Sequence, residues 1–205
     1  LKSLTNIVNL ALKCRKIFKQ NDVKAVISVG GYSAAPAAIA AIISKVPLFI
    51  HEQNAVMGKL NKILKPYAKD FFSSYDEALP YPYPVAKKFF DSARVREELK
   101  TILFLGGSQG AKAINELAVN LAPYLKEKGI NIIHQCGKNG FDELKKRYDE
   151  LGFNETNLEI FEFSKEIENK MSKADLAISR AGASSLWELC ANALPSIFVP
   201  FPYAA

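Results

Sequence analysis

Residues 101–128, TILFLGGSQGAKAINELAVNLAPYLKEK, decide the fold class. The apolar run TILFL is too short for a helix and is closed by Gly106 and Gly107, so it reads as a buried strand. Ala111 to Lys128 then reads as a helix. The same strand, small-residue loop and helix recur on both sides. Toward the C-terminus come strand NIIHQCG, a helix near FDELKKRYDELG, strand LEIFEF, helix KEIENKMSK, strand DLAIS, helix SLWELCANA and strand PSIFVPF. Toward the N-terminus lie strand KAVISVGG, helix PAAIAAIIS with Pro36 at a first helical position, strand VPLFIHEQN, a helix around GKLNKILKPYA and the short strand DFFSS. Short apolar strands alternating with helices imply parallel sheets covered on both faces. Between the two sets lies ALPYPYPVAKKFFDSARVREELK, dense in proline and then in charge, which reads as a linker. The expected architecture is α/β, with two Rossmann-like doubly wound lobes over residues 1–85 and 86–205.

Composition narrows the class. Of 205 residues 49% are apolar, enough for a substantial core, and the formal net charge is +6 with pI ≈ 9.1. A basic balance suits an anionic substrate or an anionic membrane surface. Cys14, Cys136 and Cys190 lie far apart without ligand spacing, which argues for a reducing compartment and against a disulfide framework or zinc site. No apolar run approaches the ~18 residues of a membrane-spanning helix, and no signal peptide is visible. The start at Leu1 and the end at PFPYAA suggest an internal piece of a longer chain, with both lobes incomplete. The first helix has one face of Leu4, Ile7, Ala11, Cys14 and Phe18 and another of Lys2, Asn6, Asn9, Lys13 and Lys16. Two readings fit: a helix packed on its own sheet, or a basic amphipathic surface at an anionic bilayer.

Ligands of open parallel sheets bind where the strands end, so four loops matter most. SVGGYSAAP places Gly30 and Gly31 between a strand and a helix start, either as a tight turn or as a backbone that an anion approaches. LGGSQGAKAIN repeats the device with Gly106, Gly107 and Gly110. Its spacing fits neither the dinucleotide nor the Walker pattern, and Ser108 reads as a helix cap, a ligand donor or both. FIHEQNAVMG sets His51, Glu52, Gln53 and Asn54 after a buried strand: a polar turn, or a cluster that holds hydroxyls and supplies a base. Ala55 breaks any H-E-x-x-H zinc pattern. The fourth, SRAGASSLWE, puts Glu188 in what reads as the first turn of a helix. Ser185 and Glu188 match a capping box. Alternatively Glu188 accepts the paired hydroxyls of a ribose while a diphosphate meets the amides of Ala183 to Ser185. No Asp-x-Asp is present as a metal clamp, so helix N-termini and basic groups would have to stabilise a departing diphosphate.

Taken together, GGYSAAPAAIAA, PLFIHEQNAVMGKLNK, LGGSQGAKAIN and SRAGASSLWELCANALPSIFVPFP resemble, in order and spacing, the MurG family of membrane-associated N-acetylglucosaminyltransferases of bacterial peptidoglycan synthesis. The resemblance covers nearly the whole chain and implies a GT-B glycosyltransferase. Such an enzyme moves N-acetylglucosamine, with inversion, from its uridine diphosphate donor to the 4-hydroxyl of the muramoyl-pentapeptide sugar on a lipid-linked diphosphate. It serves cell-wall biogenesis and, through it, cell shape and division. No cofactor or tightly bound metal and no nucleic acid is implied. By family pattern the donor contacts are Asn54, Gly107, Ser108, Gln109, Arg180, Ala183, Ser184, Ser185 and Glu188. The acceptor contacts are Gly30, Gly31, Tyr32 and Glu52, with Glu52 and His51 as candidate bases. Leu4, Val8, Lys13 and Lys16 would face an anionic membrane, placing the protein peripherally on the cytoplasmic side of the bacterial inner membrane.

The resemblance also implies a strand, Gly-rich loop and His before Leu1, that His being a third candidate base, and a Gln-rich segment after Ala205 that closes on the donor. Two departures stand out. Tyr83-Pro84-Val85-Ala86 replaces the family's Asn-Pro-Val-Arg, so a basic donor contact is absent or passes to Lys87 or Lys88. Ser164 occupies the place of an apolar residue near uracil. The rival readings are another GT-B transferase, a UDP-sugar epimerase of similar architecture, and a non-catalytic nucleotide-sugar-binding subunit.

Overall fold

The computed structural model describes residues 2–75, 81–107 and 110–200, with the backbone alone for residues 2–4. The chain forms two compact units, Leu1–Pro84 and Val85–Ala205.

Unit 1 contains α1 (Lys2–Gln20), β1 (Val26–Ser28), a 3-10 turn (Tyr32–Ala34), α2 (Ala35–Ser44), β2 (Leu48–Glu52), α3 (Lys59–Leu64), a second 3-10 turn (Lys65–Tyr67) and β3 (Asp70–Ser73). The sheet is parallel in the order β1-β2-β3, with Ile27 opposite Phe49 and Ile50 opposite Phe71. Because successive side chains alternate faces, Leu48, Ile50 and Phe71 point together onto Ala38 and Ala41 of α2 and Leu64 of α3. Pro36, the second residue of α2, supplies a preset φ where no amide is needed. The small residues of α2 let α1 approach. Helix α1 rests chiefly on α2, not on the sheet, through buried Ala11 and half-buried Ile7, Cys14 and Phe18. The other sheet face departs from the expected two-sided cover: among the described residues no helix lies on it, and Ile27 is 72% exposed. It carries an aromatic row instead. Phe49 stacks on Phe72 with centroids 6.3 Å apart, and Tyr81 meets Phe72 edge-on at 4.8 Å.

Unit 2 contains α4 (Lys87–Asp91), β4 (Thr101–Leu105), α5 (Lys112–Glu127), β5 (Asn131–Gln135), α6 (Phe141–Glu150), β6 (Leu158–Phe161), α7 (Ile167–Lys173), β7 (Leu176–Ser179), α8 (Ala183–Ala191) and β8 (Ser196–Phe198). All strands are parallel, in the order β6-β5-β4-β7-β8. Central β4 is apolar on both faces. Ile102 and Phe104 pack with Ile114, Ala118 and Tyr148 on one side, while Leu103 and Leu105 pack with Met171, Ala177 and Leu189 on the other. The strand order reverses between β4 and β7. The two chain segments leaving these strands turn to opposite faces and open a crevice at their C-terminal ends.

The expected linker is only in part a linker. From Val85 onward the segment belongs to unit 2, and Phe89 of α4 is buried against Leu103 and Leu189. The arginines of the charged stretch are guanidinium forks for carbonyls at the C-terminal ends of helices α7 and α8. Arg96 donates to the carbonyls of Met171, Ala174, Asn192 and Ala193 and to Asn192 Oδ1 at 2.7 Å. Arg94 donates to the Ser172 and Ala174 carbonyls and pairs with Asp175 at 2.5 Å.

Candidate functional site

At the crevice of unit 2 lies a cavity of about 550 Å³. It is lined by Gly106 and Gly107 after β4, by Ser179, Arg180, Gly182 and Ser185 around the β7–α8 junction, by Lys88 of α4 and by Glu188 one turn beyond Ser185 on α8. Gly182 is the N-cap of α8 and has no side chain to cap it, so the positive end of the helix dipole, at Ala183 to Ser185, points toward the cavity mouth where Gly182 and Ser185 line it. Ser184 is exposed beside them.

This corrects two sequence expectations. The helix begins at Ala183, so Glu188 sits in its second turn, beyond the reach of a capping box with Ser185. Its carboxylate lines the cavity instead. Burial raises the Glu188 carboxyl above its ordinary pKa; the Lys88 charge opposes that shift and the Glu168 charge adds to it.

Lys88 is the cation that sequence reading left open. Lys87 points to solvent and pairs with Asp91, whereas Lys88 lines the cavity, donates to the Lys165 carbonyl at 3.0 Å and pairs with Glu168 at 2.8 Å. Ser164 also lines the cavity, and its hydroxyl accepts the Glu166 amide at 3.0 Å, which fixes the loop before α7. Arg180 lines the cavity too, and it donates to the Val199 carbonyl at 3.2 Å and to the Pro200 carbonyl, bracing the chain after β8. Sequence reading missed Phe163 and Gln135 as lining residues. Between Lys87 and Lys88 the sequence offered no choice: Phe89 is buried while Phe90 is exposed, and the aromatic pair alone does not say which.

Behind the glycine loop runs a buried polar chain. Asn115 Nδ2 donates to the Cys136 carbonyl at 3.0 Å, so its Oδ1 must accept, and it does so from His134 Nε2 at 3.1 Å. That fixes the tautomer, leaving Nδ1 to accept from the Tyr148 hydroxyl at 3.0 Å. Burial pushes the His134 pKa down to about 4, so the imidazole is neutral. The glycines are obligatory here. A Cβ on Gly106 would lie 2.8 Å from the Gln135 carbonyl and 3.0 Å from Asn115 Oδ1, and Gly110, at φ +76°, would drive one into the Cys136 carbonyl. The N-cap of α5 is Ala111, whose own side chain makes no cap. Ser108 and Gln109 themselves lie outside the described residues.

In unit 1 the loops after β1 and β2 also meet at the strand ends. Gly30 and Gly31 both have left-handed φ, +84° and +79°, and Tyr32 projects into solvent after them. His51 and Glu52, expected as alternative bases, point to opposite faces of the sheet. His51 packs against Tyr83 with centroids 5.7 Å apart. Glu52 is 2% exposed and accepts from the Asn54 amide, Asn54 Nδ2, the Gly58 amide and Asn61 Nδ2, all at 2.9–3.0 Å. Burial alone would raise the Glu52 carboxyl pKa, but these four bonds together outweigh it and hold the group below its ordinary value.

On α1, Val8, Leu12 and Ile17 are exposed beside Lys13 and Lys16, while the side chain of Leu4 lies outside the described residues. Among the described residues no helix is long and apolar enough to cross a membrane. Charge divides sharply. Residues 1–84 hold 11 Lys and Arg against 5 Asp and Glu, whereas residues 85–205 hold 16 of each, so the whole net charge of +6 belongs to unit 1.

Two parallel α/β units, the second with its crevice at a reversal of strand order, place the chain in the GT-B class of glycosyltransferase folds. The glycosyltransferase family 28 N-terminal domain matches residues 1–73, and the C-terminal domain of the same family matches residues 101–205. The chain belongs to glycosyltransferase family 28. It is 60% identical over 205 residues to the UDP-N-acetylglucosamine--N-acetylmuramyl-(pentapeptide) pyrophosphoryl-undecaprenol N-acetylglucosamine transferase of Campylobacter jejuni strain 81-176, covering 100% of this chain and 59% of that protein. The enzyme of the same name from Campylobacter fetus is 61% identical over 203 residues, again with 59% of its length covered. The chain therefore spans about three-fifths of these relatives. The crystal structure of MurG from Acinetobacter baumannii superposes with a TM-score of 0.71 at 33% identity, covering 97% of this chain and 58% of that one. A putative UDP-N-acetylglucosamine 2-epimerase from Listeria monocytogenes shares the fold alone, at TM-score 0.62 and 8% identity, covering 97% of this chain and 62% of that one. The family resemblance carried by the four motifs is borne out.

Proposed function

We propose that the protein to which this chain belongs transfers N-acetylglucosamine from UDP-N-acetylglucosamine to the 4-hydroxyl of an undecaprenyl-diphospho-muramoyl-pentapeptide, converting lipid I to lipid II. The observation that carries this reading is the unit 2 cavity, which the start of helix α8, the Gly106-Gly107 loop and the Glu188 carboxylate line together. An anion alone would be repelled by Glu188. A nucleoside diphosphate satisfies both ends, its diphosphate at the amides of Ala183 to Ser185 and its ribose hydroxyls donating to Glu188. Arg180 holds the wall in shape, and Gly107, Ser108 and Gln109 complete the phosphate side.

The reaction is a single displacement with inversion. The acceptor hydroxyl attacks the anomeric carbon, the bond to the β-phosphate oxygen breaks, and uridine diphosphate leaves with the bonding pair. Helix α8 amides and Lys88 favour the charge that grows on the leaving group. Gly30, Gly31 and Tyr32 form the acceptor side, Asn54 holds the sugar in transit, and His51 takes the hydroxyl proton.

Membrane attachment belongs to the same proposal. Val8, Leu12 and Ile17 with Lys13 and Lys16 make an outer face that α1 does not use for packing, on the unit that carries all the net charge. We place the protein peripherally on the cytoplasmic side of the inner membrane, bound to anionic lipid and serving cell-wall growth, cell shape and division.

The test is turnover by the full-length protein with UDP-N-acetylglucosamine, with and without a lipid-linked muramoyl acceptor. The proposal expects a disaccharide product only when the acceptor is present. An altered free or nucleotide-linked sugar formed from donor alone would assign an epimerase instead, and tight donor binding with no product from either mixture would assign a binding subunit.

A further inference from the structure

A carboxylate that abstracts a proton needs a lone pair open to its substrate. Glu52 offers none. Each of its two oxygens accepts two hydrogen bonds, Oε1 from the backbone and side-chain amides of Asn54 and Oε2 from Gly58 N and Asn61 Nδ2. That fills the roughly four acceptor positions of a carboxylate. Protonating it would turn at least one of four pointing donors against a new O–H.

The bonds run to places that matter. Asn54 is held twice by one oxygen, which fixes the orientation of its amide. Asn61, 1% exposed, is held by the other oxygen, and no described group bonds its Oδ1. It lies directly beneath the preceding loop: a Cβ on Gly30 would stand 2.9 Å from Asn61 Nδ2 and 3.1 Å from its Oδ1. Gly30 at φ +84° can run close over Asn61 only because it lacks that atom. One carboxylate thus fixes the loop after β2 directly and the loop after β1 through Asn61.

We propose that Glu52 is a positioning residue, setting Asn54 for the sugar in transit and the Gly30-Gly31 loop for the acceptor, and not the group that takes the hydroxyl proton. This rests on the transferase reading above. Wild-type turnover with donor and lipid acceptor tests that reading by itself, and only the variants below test Glu52.

The experiment is steady-state kinetics of the full-length enzyme and its Glu52→Gln and Asn61→Ala variants from pH 5.5 to 9, with donor affinity measured separately. Gln keeps the volume of Glu but turns an N–H₂ toward groups that themselves donate, so the clasp loosens. Glu52→Gln is expected to raise the acceptor KM by about 10–100-fold, the scale of a small misplacement of reacting groups. The acidic limb of kcat/KM stays at its wild-type pH, and donor affinity, which Asn54 shares in setting, falls by less than the acceptor KM rises. Asn61→Ala, which touches no carboxylate chemistry, should reproduce the KM rise, and the double variant should be no worse than the worse single. A fall in kcat of about 10²–10⁴-fold in Glu52→Gln, with KM unchanged and the acidic limb gone, would make Glu52 the base and overturn the proposal. Wild-type acceptor KM in Asn61→Ala would overturn it as well, including where Glu52→Gln does not fold.

Discussion

The two units solve one problem with different chemistry. Each runs a glycine loop off its first strand, and each backs that loop with a buried asparagine, Asn61 under Gly30 and Asn115 against Gly106. In unit 1 the asparagine is anchored by an ionised carboxylate, Glu52. In unit 2 it is anchored by a neutral imidazole, His134, itself oriented by Tyr148. A buried charge holds only while all its donors are in place, whereas a neutral relay loses one bond at a time. The loop proposed for the donor diphosphate has the neutral backing, so no buried negative charge stands directly behind it.

The largest effect that sharpens this contrast is steric. Gly110→Ala forces a Cβ into the Cys136 carbonyl at a left-handed φ, and donor affinity in the full-length protein should fall about 100-fold or more by calorimetry. Gly31→Ala has the same sign of φ but nothing within 4 Å, so it should cost only the backbone strain, about 1–2 kcal/mol in denaturant unfolding. Wild-type donor affinity in Gly110→Ala would show that the backing does not matter.

Next comes the relay itself. His134→Ala removes a fully buried ring and strands Asn115 and Tyr148, for a loss of roughly 3 kcal/mol in stability. Tyr148→Phe removes one hydrogen bond and should cost about 1 kcal/mol, measured by the same unfolding curves.

The two anchors also separate on the pH axis. His134 has a folded pKa near 4 against 6.5 unperturbed, so the unfolded chain binds the extra proton. Its stabilisation is complete above about pH 6.5 and is lost as the pH falls toward 4, up to roughly 3 kcal/mol in all. Glu52 is held below 4.5, so its contribution is present above that value and disappears only as the medium becomes more acid still. Hydrogen exchange between pH 7 and 5 should therefore loosen α5 and β5 before the loop after β2. The reverse order would break the comparison.

The smallest effect concerns the two adjacent lysines. Lys88→Ala should weaken donor binding by about 1 kcal/mol, while Lys87→Ala, whose ion pair with Asp91 is solvent-exposed, should change neither binding nor stability measurably.

How much of this was legible depended on range. Strands such as TILFL and LFIHE carried their own signal, because a short apolar run closed by glycine or polar residues has few other folds. The register of α8 did not. Ser185 and Glu188 match a capping box, but Gly182 in extended backbone starts the helix earlier, and that choice is tertiary. The stretch after Pro84 misled because proline and charge density hide what arginine can do when helix carbonyls wait within reach. The Glu52 clasp was invisible for a similar reason. Glu52 and Asn61 are nine positions apart, and only the closing of β2 against α3 buries them together. Among the site residues, Glu188 was picked out for a physical oddity, a carboxylate beside an anion cradle. The cavity supports that inference although the helix starts elsewhere.

The central claim is that Glu188 meets the ribose hydroxyls of a nucleoside diphosphate. Its most direct test is calorimetric titration of the full-length protein and its Glu188→Ala variant with uridine diphosphate and with the 2′,3′-dideoxy analogue. The account predicts that the wild type prefers the diol by about 1–3 kcal/mol and that the variant binds both equally weakly. A variant that binds uridine diphosphate as well as the wild type, or keeps the preference for the diol, would contradict it.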